Sequence, residues 1–175
     1  MSETSKVSRL VRAHVPSLEV YAGVDPPEVL ARRAGMRPDQ VVRLNANENP
    51  YGPSPRVAPA LAAAAAGAGI YPDPLQREVR SAIGAYTGAD PAGVVAGAGA
   101  DELIDLLVRL TLEPGDQAID LTPTFGMYGV TTRIAGGEVV AVPRDDDFEV
   151  DVEAVRREVG PRTKLIFLCN PNNPT

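Results

Sequence analysis

The feature that most constrains the fold is an alternation of short apolar runs and helix-like segments along the second half of the chain. The strand-like runs are residues 94–99, 117–123, 136–143 and 163–169. The helix-like segments between them are residues 100–112, 125–134 and 152–159. Parallel strands need a crossover connection, usually a helix. The order therefore predicts an α/β fold with a largely parallel sheet and helices on both faces.

The segment 100–112, ADELIDLLVRLTL, has the clearest helical pattern. Its leucines recur at helical spacing, and we expect them to form one apolar stripe. These leucines are Leu103, Leu106, Leu107 and Leu110.

The first half of the chain contains many proline and glycine breakers and few periodic signals. We expect short helices at 29–34, 57–66 and 75–87, and a short strand or extended arm from Val41.

Composition excludes several classes of protein. The formal net charge of −6 and the sequence pI near 4.8 leave no basic stripe for a nucleic acid. The N-terminus lacks the apolar core of a signal peptide, and the stretch 58–70 is too short and too weakly apolar to span a bilayer. Cys169 is the only cysteine. We expect a cytoplasmic protein with neither nucleic-acid nor membrane partners, and no metal site.

The loop 97–102, GAGADE, joins a predicted strand to a predicted helix and is a candidate anion site. Its small residues let a ligand approach the backbone, and the first amides of a helix have no intrahelical partner. Asp101 and Glu102 also suit the first turn as partners of the helix dipole, so a purely structural interpretation exists.

Two further loops follow predicted strands, where ligands gather in parallel sheets. In TPTFGMYG, residues 122–129, the ring of Phe125 could stack on a flat cofactor, with Tyr128 a weaker candidate. The alternative is an aromatic core residue at a helix start. In NPNNPT, residues 170–175, Asn172 and Asn173 either hold a turn or donate to a ligand oxygen.

A dinucleotide-binding interpretation ranks second. Gly97 and Gly99 follow a predicted strand, and Asp120 lies downstream as in a dinucleotide fingerprint. Glu102 occupies the position of the third glycine, where its side chain would obstruct packing and oppose a pyrophosphate.

Taken together, the loops resemble fold-type-I pyridoxal-phosphate aminotransferases, most of all the histidinol-phosphate aminotransferases. The resemblance runs from about Val20 to Thr175, and aromatic-amino-acid aminotransferases and threonine-phosphate decarboxylases share most of it. The motifs are LNANENPYGPSP (44–55), YPDP (71–74), GAGADELIDLL (97–107), PTFGMYGV (123–130) and NPNNPT (170–175).

The resemblance implies an incomplete three-layer α/β/α large domain with an N-terminal arm. Residues 1–50 would be the arm and part of the small domain, and 51–175 the first part of the cofactor-binding large domain.

The resemblance also implies a cofactor, pyridoxal 5'-phosphate, and roles for particular residues. Backbone amides of the segment Gly99, Ala100 and Asp101 would hold the phosphate. Phe125 would stack on the pyridine ring, where many relatives carry Tyr, and Asn173 would donate to the phenolate oxygen.

Three residues are implied with roles elsewhere. Tyr71 would reach the phosphate of the neighbouring subunit in a homodimer. Tyr21 and Asn47 would line the substrate side.

An aminotransferase needs a lysine that bonds covalently to the cofactor and moves a proton between carbon atoms. The two lysines are Lys6, near the N-terminus, and Lys164, at the start of a predicted strand and away from the site. Neither matches, so no catalytic residue is assigned. We expect the chain to be the N-terminal half of a longer protein. In this family the first strand, here Val94–Ala96, is separated from the other three by strands that come later.

The sequence therefore predicts part of an aminotransferase that converts histidinol phosphate and 2-oxoglutarate to imidazole-acetol phosphate and glutamate in histidine biosynthesis. The chain alone is expected to be inactive. The alternatives are the related aromatic aminotransferases and threonine-phosphate decarboxylases, a nucleotide-dependent oxidoreductase, and a non-enzymatic cofactor-binding module.

Overall fold

The computed structural model describes residues 9–21 and 23–175. In these ranges the helices are α1 (Pro27–Ala34), α2 (Val57–Ala65), α3 (Arg77–Thr87), α4 (Ala100–Thr111), α5 (Met127–Ala135) and α6 (Val152–Glu158). The strands are β1 (Gln117–Thr122), β2 (Glu138–Pro143) and β3 (Thr163–Phe167). None of the described helices is long and apolar enough to cross a bilayer.

The chain divides into two compact units, residues 23–96 and residues 9–21 together with 97–175. The first unit contains α1 to α3. The Arg80 side chain in α3 donates hydrogen bonds to the carbonyl oxygens of Pro91 and Ala92, both at 2.8 Å, which ties the following turn to the helix. Gly84 allows this close packing, because a Cβ there would lie 2.7 Å from the Ala89 carbonyl oxygen.

The second unit is built on a parallel three-stranded sheet in the order β2-β1-β3. β1 is central because residues 118–121 are buried on both faces, as its almost continuous apolar sequence requires. Asp120 pairs with Ala141 on one side and Phe167 on the other. The predicted parallel sheet is confirmed, and so are three of its four strands.

The side chains of β1 alternate between two cores. On one face Ala118 packs with Val108 and Leu112 of the α4 region. On the other face Ile119 and Leu121 pack with Val142, and α6 covers them. The α4–α5 pair and α6 therefore lie on opposite faces, which confirms the predicted three-layer α/β/α architecture.

Local signals set the ends of the helices on both faces. The carboxylate of Asp151 caps α6 by accepting from the Ala154 amide at 2.9 Å. α5 ends at Gly136, whose φ of 91° is unfavourable for other residues. The N-terminal segment packs near this end, because the Ile134 carbonyl accepts a hydrogen bond from Nε2 of His14 at 3.1 Å.

The predicted strand at 94–99 is wrong for this structure. In the described structure residues 94–96 form no ladder, and the Val95 side chain is 70% exposed. A strand needs a neighbour for its backbone groups, and within the described residues no neighbouring strand lies beside it.

The predicted apolar stripe of α4 also needs correction. The helix buries Ile104 and Val108, which continue to Leu112 at i, i+4 and i+8, whereas Leu110 is 80% exposed and Leu107 half-exposed. α4 has two overlapping apolar faces, and the sheet contact, which periodicity does not reveal, selects the one that carries Val108.

Candidate functional site

Three loops lie at the edge of the sheet where its strands end. α4 ends at Thr111 and a short turn leads directly into β1, so α4 runs antiparallel to the strands and its N-terminus lies at their carboxyl edge. The loop 122–126 follows β1 and the loop 168–175 follows β3. Open parallel sheets bind ligands at this edge.

The N-terminus of α4 presents free backbone amides, as the sequence predicts. Gly99 has a φ of 111° and ψ of 173°, and a Cβ placed there would meet no atom within 4 Å. Within the described ranges no side chain caps the helix at Gly99. The amides of Ala100 and Asp101 are therefore available for an anion, in the positive field of the helix dipole.

Glu102 folds back over the glycine loop that precedes α4. Its carboxylate accepts a hydrogen bond from the Ala98 amide. The carboxylate lies against Gly97, since a Cβ at Gly97 would be 2.7 Å from Oε2 of Glu102.

Asn172 joins the two strand-end loops. Its Nδ2 donates to the Pro123 carbonyl at 3.0 Å, and its Oδ1 accepts from the Thr124 hydroxyl at 2.9 Å. The amide of Asn172 also donates to the Thr175 hydroxyl at 2.5 Å, so its side chain is engaged within the protein. The half-buried Asn173 has no hydrogen-bonding partner for its side chain among the described residues.

Phe125 begins a chain of packed aromatic rings. Its ring meets Tyr128 edge to face, with centroids 5.7 Å apart and an interplanar angle of 86°. Tyr128 in turn stacks on Phe167 of β3, at 4.5 Å and 11°. The ring of Phe125 is therefore half-buried and supported from the sheet side, as a stacking platform requires.

Two groups in this region, the Tyr128 hydroxyl and the Asp120 carboxyl, have raised pKa values. Burial raises the pKa of Tyr128 to about 12, and the neighbouring Cys169 and the charge of Asp120 add to the shift. Burial likewise raises the pKa of Asp120, against the attraction of Arg133. Among the described residues, Oδ1 of Asp120 has no hydrogen-bonding partner. Asp120 is 7% exposed in the middle of β1, too buried to reach the ribose of a dinucleotide.

Arg144 is a residue that the sequence analysis missed. It follows β2, and its backbone amide donates to Thr122 at 2.7 Å. Its guanidinium donates to the carbonyls of Leu121 and Cys169, both at 3.3 Å, and of Phe148 at 3.0 Å. One side chain thus holds the ends of β1 and β3 together. The only sequence signal is a cation directly after a strand.

The other predicted site residues divide between the two units. Tyr21 lies beside the loop after β1, since a Cβ on Gly126 would be 3.9 Å from its Cε2 atom. Asn47, with a φ of 53°, and Tyr71, whose side chain is 98% exposed, belong to the other unit.

The positions of the lysines agree with the prediction where the structure describes them. Lys164 lies at the start of β3, with Nζ 4.0 Å from Oδ1 of Asp116, at the edge opposite the three loops. Lys6 lies outside the described residues.

Comparison with known families adds a decisive observation. Residues 39–175 match the family model described as aminotransferase class I and II, which covers well over half of the chain. The chain belongs to this family.

Several members of the aminotransferase family are similar to the chain. The histidinol-phosphate aminotransferase of Roseiflexus castenholzii is 46% identical over 98% of the chain and 47% of its own length. The chloroplastic histidinol-phosphate aminotransferase of Nicotiana tabacum is 46% identical over 94% of the chain and 40% of its own length. The chain thus spans less than half the length of these curated relatives.

Solved aminotransferase structures share the fold. The histidinol-phosphate aminotransferase of Sinorhizobium meliloti, solved in complex with pyridoxal-5'-phosphate, superposes with a TM-score of 0.75 and 31% identity, over 93% of the chain and 43% of that protein. An aspartate aminotransferase mutant of Thermus thermophilus gives 0.74 and 28%, over 94% of the chain and 45% of that protein. Membership of fold-type I, predicted from the motifs, is confirmed.

Proposed function

We propose that the chain forms the first part of a pyridoxal-phosphate-dependent aminotransferase. The substrates we infer are histidinol phosphate and 2-oxoglutarate, and the products are imidazole-acetol phosphate and glutamate, a step of histidine biosynthesis. The family assignment and the names of the relatives support this reaction. Since the chain spans less than half of those relatives, the reaction is proposed for the whole protein.

One observation carries the proposal: Asn172 bonds the loop after β3 to the loop after β1. Asn173 is the next residue, and this bonding therefore brings it toward the loop that carries Phe125. The side-chain amide of Asn173 has no partner among the residues that the structure describes. At the same edge of the sheet lies the N-terminus of α4, where Gly99 leaves open space beside the backbone amides. A stacking face, an amide donor and free helix amides are what a flat phosphorylated pyridine requires, so the residues fit this cofactor.

Each residue has a separate task in the proposed site. The amides at Gly99, Ala100 and Asp101 bind the phosphate group. The ring of Phe125 covers one face of the pyridine, and Asn173 donates to the phenolate oxygen. When bound, pyridoxal phosphate supplies an electron sink and carries the amino group between the two substrates.

The lysine that this chemistry needs is not assigned in this chain. Lys164 lies at the opposite edge of the sheet, and its ammonium group is near Asp116. We therefore propose that the lysine comes from a part of the protein outside these 175 residues, and that the chain by itself does not catalyse transamination.

We also propose a cytoplasmic homodimer in which Tyr71 donates to the phosphate bound by the partner subunit. The almost complete exposure of the Tyr71 side chain in the single chain leaves it free for such a contact. Tyr21, beside Gly126, and Asn47 are proposed to line the substrate side.

The alternatives differ in how well they agree with the site. A nucleotide-dependent oxidoreductase is disfavoured, because Asp120 is buried and Glu102 fills the space beside Gly97. Aromatic-amino-acid aminotransferases and threonine-phosphate decarboxylases would use the same edge of the sheet, so only substrate tests separate them. A non-enzymatic module would bind the cofactor and turn over none of these substrates.

The experiment uses the complete product of the encoding gene. Glutamate formation from histidinol phosphate and 2-oxoglutarate is measured beside aromatic amino acids and threonine phosphate. Phe125→Leu removes the stacking face, whereas the matched Phe125→Tyr retains it. We expect the Phe125→Leu variant to lose about tenfold in cofactor affinity and the Phe125→Tyr variant to keep the affinity of the parent protein. Preferred turnover of another substrate would replace the proposed reaction. Absence of saturable pyridoxal phosphate binding would overturn the site itself.

A further inference from the structure

The side chain of Glu102 has no role in the proposed function, although it contacts the loop 97–99, next to the amides that are proposed to bind the phosphate. The carboxylate turns back from the first turn of α4 and accepts a hydrogen bond from the Ala98 amide. It also occupies the space next to Gly97, where a Cβ would meet Oε2 at 2.7 Å. A single side chain therefore contacts two of the three residues that precede the helix.

A solvated acid on a helix would not need this arrangement. Asp101 and Glu102 both lie in the first turn of α4, where negative charge is favourable. Asp105, about one turn further, forms an ordinary ion pair with Arg109 at 2.8 Å. Of these three acids, Glu102 alone accepts from the glycine loop in the described structure.

We propose that Glu102 is a positioning residue, which holds the Gly97–Gly99 loop so that the amides of Gly99, Ala100 and Asp101 are ready for the cofactor phosphate. The inference rests on the proposed function. Gly99 has a φ of 111° and a ψ of 173°, a conformation that glycine adopts easily but which the chain does not fix by itself. The bond from Ala98 to Glu102 supplies that restraint.

The negative charge of Glu102 lowers the affinity of the site for an anion, while its hydrogen bond holds the loop in place. A carboxylate near the phosphate site opposes a dianion, whereas its oxygen is needed as an acceptor. A glutamine keeps an acceptor oxygen at the same reach and removes the charge, and an alanine removes both. The two substitutions therefore separate the hydrogen bond from the charge.

The test measures pyridoxal phosphate affinity of the complete gene product by equilibrium dialysis. We expect Glu102→Ala to bind about tenfold more weakly, the loss that corresponds to one hydrogen bond of about 1.4 kcal/mol. Glu102→Gln should bind at least as tightly as the parent protein. Asp105→Asn is the matched control, because it removes a charge from the same helix without touching the loop, and should leave the affinity unchanged.

A second measurement reports on the loop without cofactor. Hydrogen–deuterium exchange at the Ala98 amide should be faster in Glu102→Ala than in the parent protein and remain slow in Glu102→Gln. Gly97→Ala should displace the Glu102 carboxylate and weaken binding as Glu102→Ala does. Since both changes break the same contact, the double variant should bind no more weakly than either single variant.

The outcomes separate this inference from the proposed function. If the parent protein fails to bind pyridoxal phosphate, the proposed function falls and the inference falls with it. If the parent binds, the inference alone is overturned by a Glu102→Ala variant with unchanged affinity and unchanged exchange at Ala98. A Glu102→Gln variant as weak as Glu102→Ala would also overturn it.

Discussion

Thr124 donates a hydrogen bond to Oδ1 of Asn172 at 2.9 Å, although 48 residues separate them in sequence. The contact links the loop after β1 to the loop after β3, at the edge where the proposed cofactor binds. The amide of Asn172 reinforces it by donating to Pro123. The geometry of this edge thus depends on a residue that we do not expect to touch the cofactor.

Asn172→Ala should lower both stability and cofactor affinity. The substitution leaves the Pro123 carbonyl and the Thr124 hydroxyl without their partner, which costs about 1–3 kcal/mol for a partly buried group. Urea unfolding and equilibrium dialysis measure the two effects. Asn173→Ala is the comparison. The side-chain amide of Asn173 has no partner in the described part of the chain, so this substitution should lower cofactor affinity and leave stability unchanged. An Asn172→Ala protein with unchanged unfolding and binding would contradict the role of this bond.

Arg144→Met should destabilise the protein by about 2–3 kcal/mol, because hydrogen bonds from a charged donor to several carbonyls are lost. Those carbonyls belong to Leu121, Phe148 and Cys169. Arg156→Met is the control: its exposed ion pair with Glu153 on α6 is of a type worth about 0–1 kcal/mol. Equal midpoints of unfolding for the two variants would argue against the bridging role.

Tyr128→Leu should weaken pyridoxal phosphate binding, whereas Tyr128→Phe should not. The ring supports Phe125 and stacks on Phe167, and such pairs contribute roughly 0.5–1.5 kcal/mol. Phenylalanine retains both contacts and loses only the hydroxyl. Fluorescence titration with the cofactor compares the three proteins. An equal loss in both variants would show that the hydroxyl, and not the stacked ring, is what matters.

Titration of the Tyr128 hydroxyl gives a separate check on its burial. Its pKa is raised to about 12, above the ordinary 10.0. The folded state therefore retains the proton that the unfolded chain releases near pH 10, and stability should fall as the pH rises from about 10 toward 12. Tyr128→Phe should remove this part of the alkaline dependence. An unchanged slope would mean that the hydroxyl is solvated.

Asp120→Asn should stabilise the protein near neutral pH. Burial raises the pKa of the Asp120 carboxyl in the folded state above the value of 3.8 expected in the unfolded chain. In the window between these two pKa values the folded state therefore binds more protons than the unfolded state. Stability then falls as the pH rises through the window, and a neutral amide removes the slope. Unfolding free energies measured by urea between about pH 4 and 7 give the slope. The exposed Asp146→Asn is the control, and an unchanged or steeper slope in Asp120→Asn would contradict the prediction.

The sequence predicts the sheet well because its signals are local. The apolar runs around Ile119, Val140 and Leu165 and the helices between them are each visible in a short window. The sequence does not determine which face of α4 is buried, since Leu107 and Val108 lie on overlapping apolar faces and only the sheet decides between them. The predicted strand at 94–99 is wrong because a strand depends on a neighbour.

The sequence predicts the ligand groups of the proposed site, but not the residues that support them. Gly99 directly precedes α4 and Phe125 lies shortly after β1, and both positions are recognisable in the sequence. The roles of Arg144 and Asn172 depend on carbonyl groups distant in sequence, such as those of Cys169 and Pro123. Glu102 is intermediate: its position in the first turn is visible in the sequence, but the bond to Ala98 is a property of the folded loop.

The central claim is that this edge of the sheet binds pyridoxal phosphate through Phe125, Asn173 and the start of α4. Its most direct test is equilibrium dialysis of the complete gene product against pyridoxal phosphate, with Asn173→Ala in parallel. We expect saturable binding of one cofactor per chain, weakened about tenfold by Asn173→Ala with no change in unfolding free energy. Binding that is absent, or unaffected by Asn173→Ala, would contradict the account.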